Sequence, residues 1–280
     1  MDAQLYRYTE AAGWWPSLDS SLDGEGTLVL CFSDLPDGRV EIPLEKLKTA
    51  FPRAVLAGCS TAGQIHQQHY YEQGASAAVI RFHRSRLQLS LVNLSDHEDC
   101  QAAGEALAKS LDAPDLAGVL VLSEGLEVNG SALMAGVNQV FGGKVPVTGG
   151  LAADGTRFRR TWVLGAGERA PGHVCAVGFH GDSLEVGHGS FGGWDMLGPE
   201  RLVTRSEGNR LFELDGQPAL AVYKKYLGEM AAELPASGLL FPLALRRQEE
   251  DQEPKVRTIL AVDEASQSIT FAGDIPQEKR

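Results

Sequence analysis

The chain has 280 residues, 43% hydrophobic and 22% charged, which is enough to bury a sizeable core and is far from the composition of a disordered chain. Its 25 Lys and Arg against 37 Asp and Glu leave a net charge of −12, which repels nucleic acid and anionic lipid, so neither is an expected partner. The first fifteen residues hold no basic stretch followed by an apolar run, and no segment reaches membrane length, so a cytoplasmic protein without membrane insertion is expected.

Residues 27–33 (TLVLCFS) form an apolar, β-branched run that predicts a strand, and 44–51 follow with helical spacing. A second strand at 54–57 stops at Gly58-Cys59-Ser60. Residues 75–83 and 87–94 alternate about Arg84-Ser85-Arg86, as the arms of a hairpin do. A helix at 98–110 ends before Pro114, and then strand 118–123, helix 131–141 and strand 145–148 lead to Gly149-Gly150. Beyond His188 a glycine-rich bend at 187–193 precedes Trp194. A helix at 217–227 has Pro218 near its start and Gly228 at its end, and 238–271 hold two or three short strands about the charged loop 246–255.

The two halves repeat one another. Leu28 maps to Val119 and Gly58 to Gly149 at an offset of 91, while AVIRFHRSRLQLS from Ala78 aligns with CAVGFHGDSLEVG from Cys175 at 97, pairing Phe82-His83 with Phe179-His180; six residues are inserted between the blocks. The expected fold is mixed α/β: two pseudo-repeated β-α-β-β-β halves, roughly 25–95 and 117–190, with packed sheets and flanking helices, plus a small C-terminal α/β lobe. The expected domains are 1–197 and 198–280, and ligand pockets often form where such copies meet.

Gly58, Gly63, Gly149 and Gly150 follow predicted strand ends, where exposed N–H groups can cradle an anion or simply make a tight turn. Cys59, with Ser60 and Thr61 beside it, is a candidate nucleophile or a small buried thiol. Activation needs a base at hand, and the repeat replaces Cys59 with Gly150. Cys31, Cys59, Cys100 and Cys175 lie far apart with no Cys-x-x-Cys, which argues against a zinc knuckle or a disulfide framework. His66 and His69 have a spacing that binds metal on a helix, but a solvated loop is the expected setting; His83 and His180 are expected at surface turns. Trp14 and Trp15 are expected to cover core. Glu124, Asp154, Glu207 and Asn209 are polar candidates at element ends.

Three segments, Gly58-Cys59-Ser60-Thr61-Ala62-Gly63-Gln64-Ile65, Pro146-Val147-Thr148-Gly149-Gly150-Leu151-Ala152-Ala153-Asp154, and Val203-Thr204-Arg205-Ser206-Glu207-Gly208-Asn209 running into Glu213-Leu214-Asp215-Gly216-Gln217-Pro218-Ala219-Leu220, together resemble the FIST family of bacterial and eukaryotic signal-transduction proteins. The resemblance implies a sensor rather than an enzyme, with a FIST N part followed by a partial FIST C part. It binds a small ligand, for which amino acids have been proposed, and reports to a histidine kinase or another signalling enzyme. It also implies a longer C-terminal half than one ending at Arg280. The ligand-binding positions it suggests are Gly58, Cys59, Ser60, Thr61, Gly149, Gly150, Asp154, Trp194, Arg205 and Asn209. His188-Gly189-Ser190-Phe191-Gly192-Gly193-Trp194-Asp195 looks like the stand-alone branch described as haem-binding nitric-oxide sensors, which implies haem b held non-covalently. His188 is then the candidate iron ligand, Phe191 and Trp194 are neighbours of the ring, and Arg201, Arg205 and Arg210 are cations for the propionates. The alternatives are a metabolite sensor without haem, an enzyme built on Cys59, and an adaptor whose acidic surface binds a partner.

Overall fold

The computed structural model describes residues 1–189, 193–246 and 254–279. Phe191, and parts of the expected 187–193 bend and 246–255 loop, lie outside the described residues. The chain is a mixed α/β protein. It divides into a first unit, Met1–Val128, Leu133–Gly155 and Arg159–His188, and a second unit, Asn129–Ala132, Thr156–Phe158 and Gly189–Arg280.

In chain order the elements of the first unit are β1 (Asp2–Thr9), β2 (Gly13–Trp15), β3 (Thr27–Ser33), α1 (Glu41–Ala50), β4 (Val55–Ser60), β5 (Gln64–His66), β6 (His69–Tyr71), β7 (Ala75–Arg81) and β8 (Arg86–Asn93). They continue with α2 (Cys100–Leu111), β9 (Leu116–Ser123), α3 (Gly130–Phe141, whose first residues fall in the second unit), β10 (Val147–Leu151), β11 (Val163–Gly165), β12 (Glu168–Ala170) and β13 (His173–His180). Among the described residues they build a seven-stranded sheet, β12-β11-β4-β3-β7-β1-β2, and a four-stranded sheet, β10-β9-β13-β8, with β5 and β6 paired by themselves.

The common order β4-β3-β7-β1 and β10-β9-β13-β8 is the internal repeat made visible, and it moves the boundary between the copies. Residues 75–83 and 87–94 are not arms of one hairpin. β7 pairs with β1 and β3, whereas β8 crosses to the other sheet and pairs with β13. Each copy thus starts one strand earlier, at β1 and β8. Alternation identifies a half-buried strand without naming its partner, which is why the link 84–86 reads as a turn.

Apolar layers hold these sheets together. Val29, Cys31 and Val79 face Leu44, Leu47 and Phe51 of the α1 region, and Val119, Val121 and Val174 face Leu107, Leu133 and Phe141 of α2 and α3. Between the sheets lie Leu28, Ala57, Cys59, Leu122, Val163, Cys175 and Val177. Each fully buried aliphatic side chain contributes on the order of 1.5–3 kcal/mol. The repeat-related Phe82 and Phe179 meet here with ring centroids 5.6 Å apart, as residues beside a pseudo-two-fold axis must. At the start of α2, Asp99 accepts the Ala102 N–H at 2.8 Å, which contributes about 1 kcal/mol.

In the second unit, β14 (Val203–Glu207), β15 (Arg210–Leu214), β16 (Gln217–Pro218), α4 (Ala219–Leu227), β17 (Leu243–Leu245), β18 (Lys255–Arg257), β19 (Ile259–Asp263) and β20 (Ser268–Phe271) follow one another. β14-β15-β20-β19 form a sheet whose Leu211, Ile259, Ile269 and Phe271 pack against Leu220 and Tyr223 of α4. Gly228 closes α4 at φ 58°. No helix among the described residues is long and apolar enough to cross a membrane.

Gly58 and Gly149 do not follow strands; they lie inside β4 and β10. A Cβ on Gly58 would sit 1.8 Å from the Cys31 carbonyl oxygen, and one on Gly149, at φ 151°, would sit 1.7 Å from that of Val121. Gly150 has nothing within 4 Å. Gly58→Ala and Gly149→Ala should each lose at least about 3 kcal/mol in chemical denaturation, and Gly150→Ala less than about 1 kcal/mol. Equal losses at all three would mean that close strand approach does not explain the glycines.

Candidate functional site

The parallel pairs β3–β4 and β9–β10 end on the same side of the first unit, where Ser60 joins them. Its N–H donates to the Trp162 carbonyl at 3.0 Å, its carbonyl accepts the Ala153 N–H at 2.9 Å, and its hydroxyl accepts the Trp162 N–H at 3.2 Å. Carboxyl ends of parallel strands are a usual place for ligands in α/β sheets, since the connecting loops converge there.

Two buried carboxylates organise those loops. Glu124 accepts the N–H groups of Leu126 at 3.0 Å and Glu127 at 2.8 Å, and the Thr161 hydroxyl donates to it at 3.3 Å. Asp154 accepts the N–H groups of Arg159 at 2.8 Å and Arg160 at 3.0 Å. Outside them Asp37 receives both Arg169, at 2.6 Å, and Arg160, at 2.9 Å; the Arg169 hydrogen bond leads in holding the Asp37 carboxyl below its usual range. Arg169 also pairs with Glu41. Beside Glu124, the buried hydroxyl of Ser123 has no hydrogen-bond partner among the described residues.

Gly58, Cys59, Ser60 and Thr61, together with Asp154, are gathered at this end of the first unit. Gly58 is buried within the ladder rather than exposed as an anion cradle. Thr61 turns its hydroxyl into its own loop, where it accepts the Gly63 N–H at 2.8 Å. Gly149 and Gly150 are exposed on β10, the edge strand whose outer side no strand pairs among the described residues. Cys59 lies within β4, and burial pushes its thiol up to about 12, as it does those of Cys31 and Cys175. A thiol so held offers about one thiolate in ten thousand at pH 8.

The remaining candidates are dispersed. His188 is exposed at the end of the first unit, and its imidazole makes no hydrogen bond or ion pair among the described residues. His180 is fully buried at the end of β13, with Nδ1 3.3 Å from Asp115, whereas His83 is exposed and bonded to Asp2 at 2.9 Å. The surface turn expected for both fits His83 alone. His66 and His69 lie on the β5–β6 hairpin rather than in a helix or an open loop, and Trp15 is exposed while Trp14 is buried. Among the described residues no group of three or more His, Cys, Asp or Glu is arranged to hold a metal ion. In the second unit Trp194 is exposed, Arg205 pairs with Glu213 at 2.9 Å, and Asn209 donates to the Phe271 carbonyl at 2.6 Å. Thr161, Trp162 and the Arg160–Asp37–Arg169 group were not anticipated. The only signal for them was the six-residue insertion that lengthens the loop carrying Thr161 and Trp162.

The FIST N domain model matches residues 27–217, and the FIST C domain model matches residues 219–280. The chain belongs to the FIST family. FIST domains are implicated in signal-transduction sensing of small ligands. No curated protein matches the chain.

Glu124→Ala removes one carboxylate and leaves the Leu126 and Glu127 N–H groups and the buried Thr161 hydroxyl without that acceptor. The expected loss is about 3 kcal/mol in urea unfolding, and a loss under about 1 kcal/mol would mean that the 125–127 loop does not depend on it. The thiols of Cys31, Cys59 and Cys175 should react with iodoacetamide only as fast as the chain unfolds. Their raised values also carry a pH signature. The unfolded chain releases these protons near pH 8.5 and the folded chain only near 12, so stability should fall as pH rises through that window. Fast labelling of native Cys59 at pH 8 would contradict this.

Proposed function

We propose that this FIST protein is a sensor whose ligand is haem, used to detect nitric oxide, and that it passes occupancy to a histidine kinase or another signalling enzyme. The observation that carries the reading is His188, an exposed imidazole with no partner among the described residues, and so chemically free to ligate iron through a ring nitrogen. In the second unit, Trp194, Met196 and Leu197 are exposed. Of the propionate candidates, Arg201, Arg205 and Arg210 already pair with Asp215, Glu213 and Asp263. When bound, haem supplies an iron that takes nitric oxide as a ligand. His188 would hold that iron, and only a difference in affinity between two conformations of the chain would transmit the event to a partner.

A second reading, a sensor of an amino acid or another small metabolite without haem, is favoured by different observations: buried polar atoms in the first unit that lack partners among the described residues, Ser123 Oγ among them. Burial against an unpaired polar atom is costly, and a ligand can supply what the chain does not.

Titration of the purified chain with ferrous haem, followed by nitric oxide, separates the two. A sharp Soret band at one haem per chain that shifts with nitric oxide, and is lost in His188→Ala, is expected. Sub-stoichiometric haem uptake that is indifferent to His188→Ala would sink the haem reading and leave the metabolite sensor.

A further inference from the structure

The β5–β6 hairpin joins neither large sheet. It lies against β1 and β7, and it turns one face inward: Gln64 and His66 are 4% and 5% exposed, while Ile65 between them is 75% exposed. Strand alternation puts the Gln64 and His66 side chains on that inward face together. Gln64 Nε2 and His66 Nε2 are both buried, and neither has a hydrogen-bond partner among the described residues. Nearby, Trp15 meets the His66 ring edge-on with centroids 6.4 Å apart. Arg7, directly opposite Trp15 in the β1–β2 pair, holds its guanidinium 3.6 Å over the Tyr71 ring and enters no ion pair among the described residues.

These groups differ in what they offer. The Gln64 amide and the Arg7 guanidinium are donors, suited to the two oxygens of a carboxylate. Burial and then the charge of Arg7 lower the pKa of His66, so its ring is neutral at pH 7, while its other polar neighbour is the backbone of Tyr6. With Nδ1–H turned to the Tyr6 carbonyl, the neutral ring leaves a lone pair on Nε2, an acceptor for an ammonium group. The Tyr71 ring seats the Arg7 guanidinium, and Trp15 adds an aromatic wall beside His66. Two unpartnered buried nitrogens are destabilising, and filling both positions with apolar groups would be the more stable solution for a purely structural hairpin.

We propose that the β5–β6 hairpin closes over a binding site for a free α-amino acid, its carboxylate held by Gln64 and Arg7 and its ammonium by His66 Nε2. The site rests on the metabolite-sensing reading above and gives that reading a place and a ligand class; it does not involve His188.

The test uses the full chain, isotopically labelled, and titrates it with the common amino acids, with acetate and methylamine as controls. Side-chain resonances of Gln64 and His66 are followed by NMR, and binding anywhere on the chain is followed by calorimetry. The expected result is that at least one amino acid moves both resonances saturably, and that acetate and methylamine bind at least about tenfold more weakly, since each keeps only half of the contacts. Gln64→Met and His66→Phe should each abolish that binding while raising the melting temperature of the ligand-free chain. Calorimetric binding that leaves both resonances still, or that survives both variants, would overturn this site and keep the metabolite-sensing reading. Calorimetric silence toward every amino acid would overturn this site and confine the metabolite-sensing reading to other small molecules.

Discussion

The first unit depends on one ladder. β11, from the second copy of the repeat, pairs antiparallel with β4 of the first copy, Val163 opposite Cys59 and Leu164 opposite Gly58, and the bonds of Ser60 to Trp162 and Ala153 continue the seam beyond the strand end. Without it, β4 would be an exposed edge and the apolar layer that includes Val163 and Cys59 would lose one wall. The insertion in the second copy gives the physical means. The path from β10 to β11 runs through residues 152–162, long enough to cross to the other sheet, whereas the path from β4 to β5 is only residues 61–63. Asp154 braces that crossing by accepting the Arg159 and Arg160 N–H groups, and Glu124 by accepting the Thr161 hydroxyl.

Much of this architecture was legible in the amino-acid order, because hydrophobic periodicity reports local geometry directly. The strand at 27–33 matches its predicted bounds, and the helices near 44–51, 98–110, 131–141 and 217–227 are present within a few residues. The duplication was legible too, since Gly58 and Gly149 occupy equivalent strands and Phe82 and Phe179 touch. What periodicity cannot carry is the choice of partner. The link 84–86 looks like a turn whether the chain returns along the same sheet or crosses to the next. β1 was missed altogether, although Tyr6 and Tyr8 alternate with Arg7, because so polar a strand is stabilised by its neighbour β7 rather than by its own composition.

The site was legible in its residues but not in their roles. Gly58, Cys59, Ser60, Thr61 and Asp154 do converge, yet Gly58 serves close strand approach, Ser60 stitches two loops, and Asp154 is engaged with backbone N–H groups. Cysteine beside glycine and serine suggests a nucleophile until burial is known, and burial is a property of the surrounding sheets that no local motif encodes. The same limit hid Gln64 and His66. In sequence they sit in a run of glutamines, histidines and tyrosines that reads as solvated loop; in the fold, a two-stranded hairpin turns these two inward and leaves Ile65 and Tyr70 outside.

The two hairpins occupy the same topological position, each between the third and fourth shared strands of its copy, but they carry different burdens. β11–β12 is a clamp: it completes a sheet and seals a core, and a change in it is felt first as loss of folding. β5–β6 has no such duty, because the edge equivalent to β4, that of β10, is left open among the described residues. A duplicated gene that commits one hairpin to architecture frees the other to vary, so specificity can drift at β5–β6 without the fold paying in stability. Related chains would then differ most in what they recognise where they differ least in how they are built.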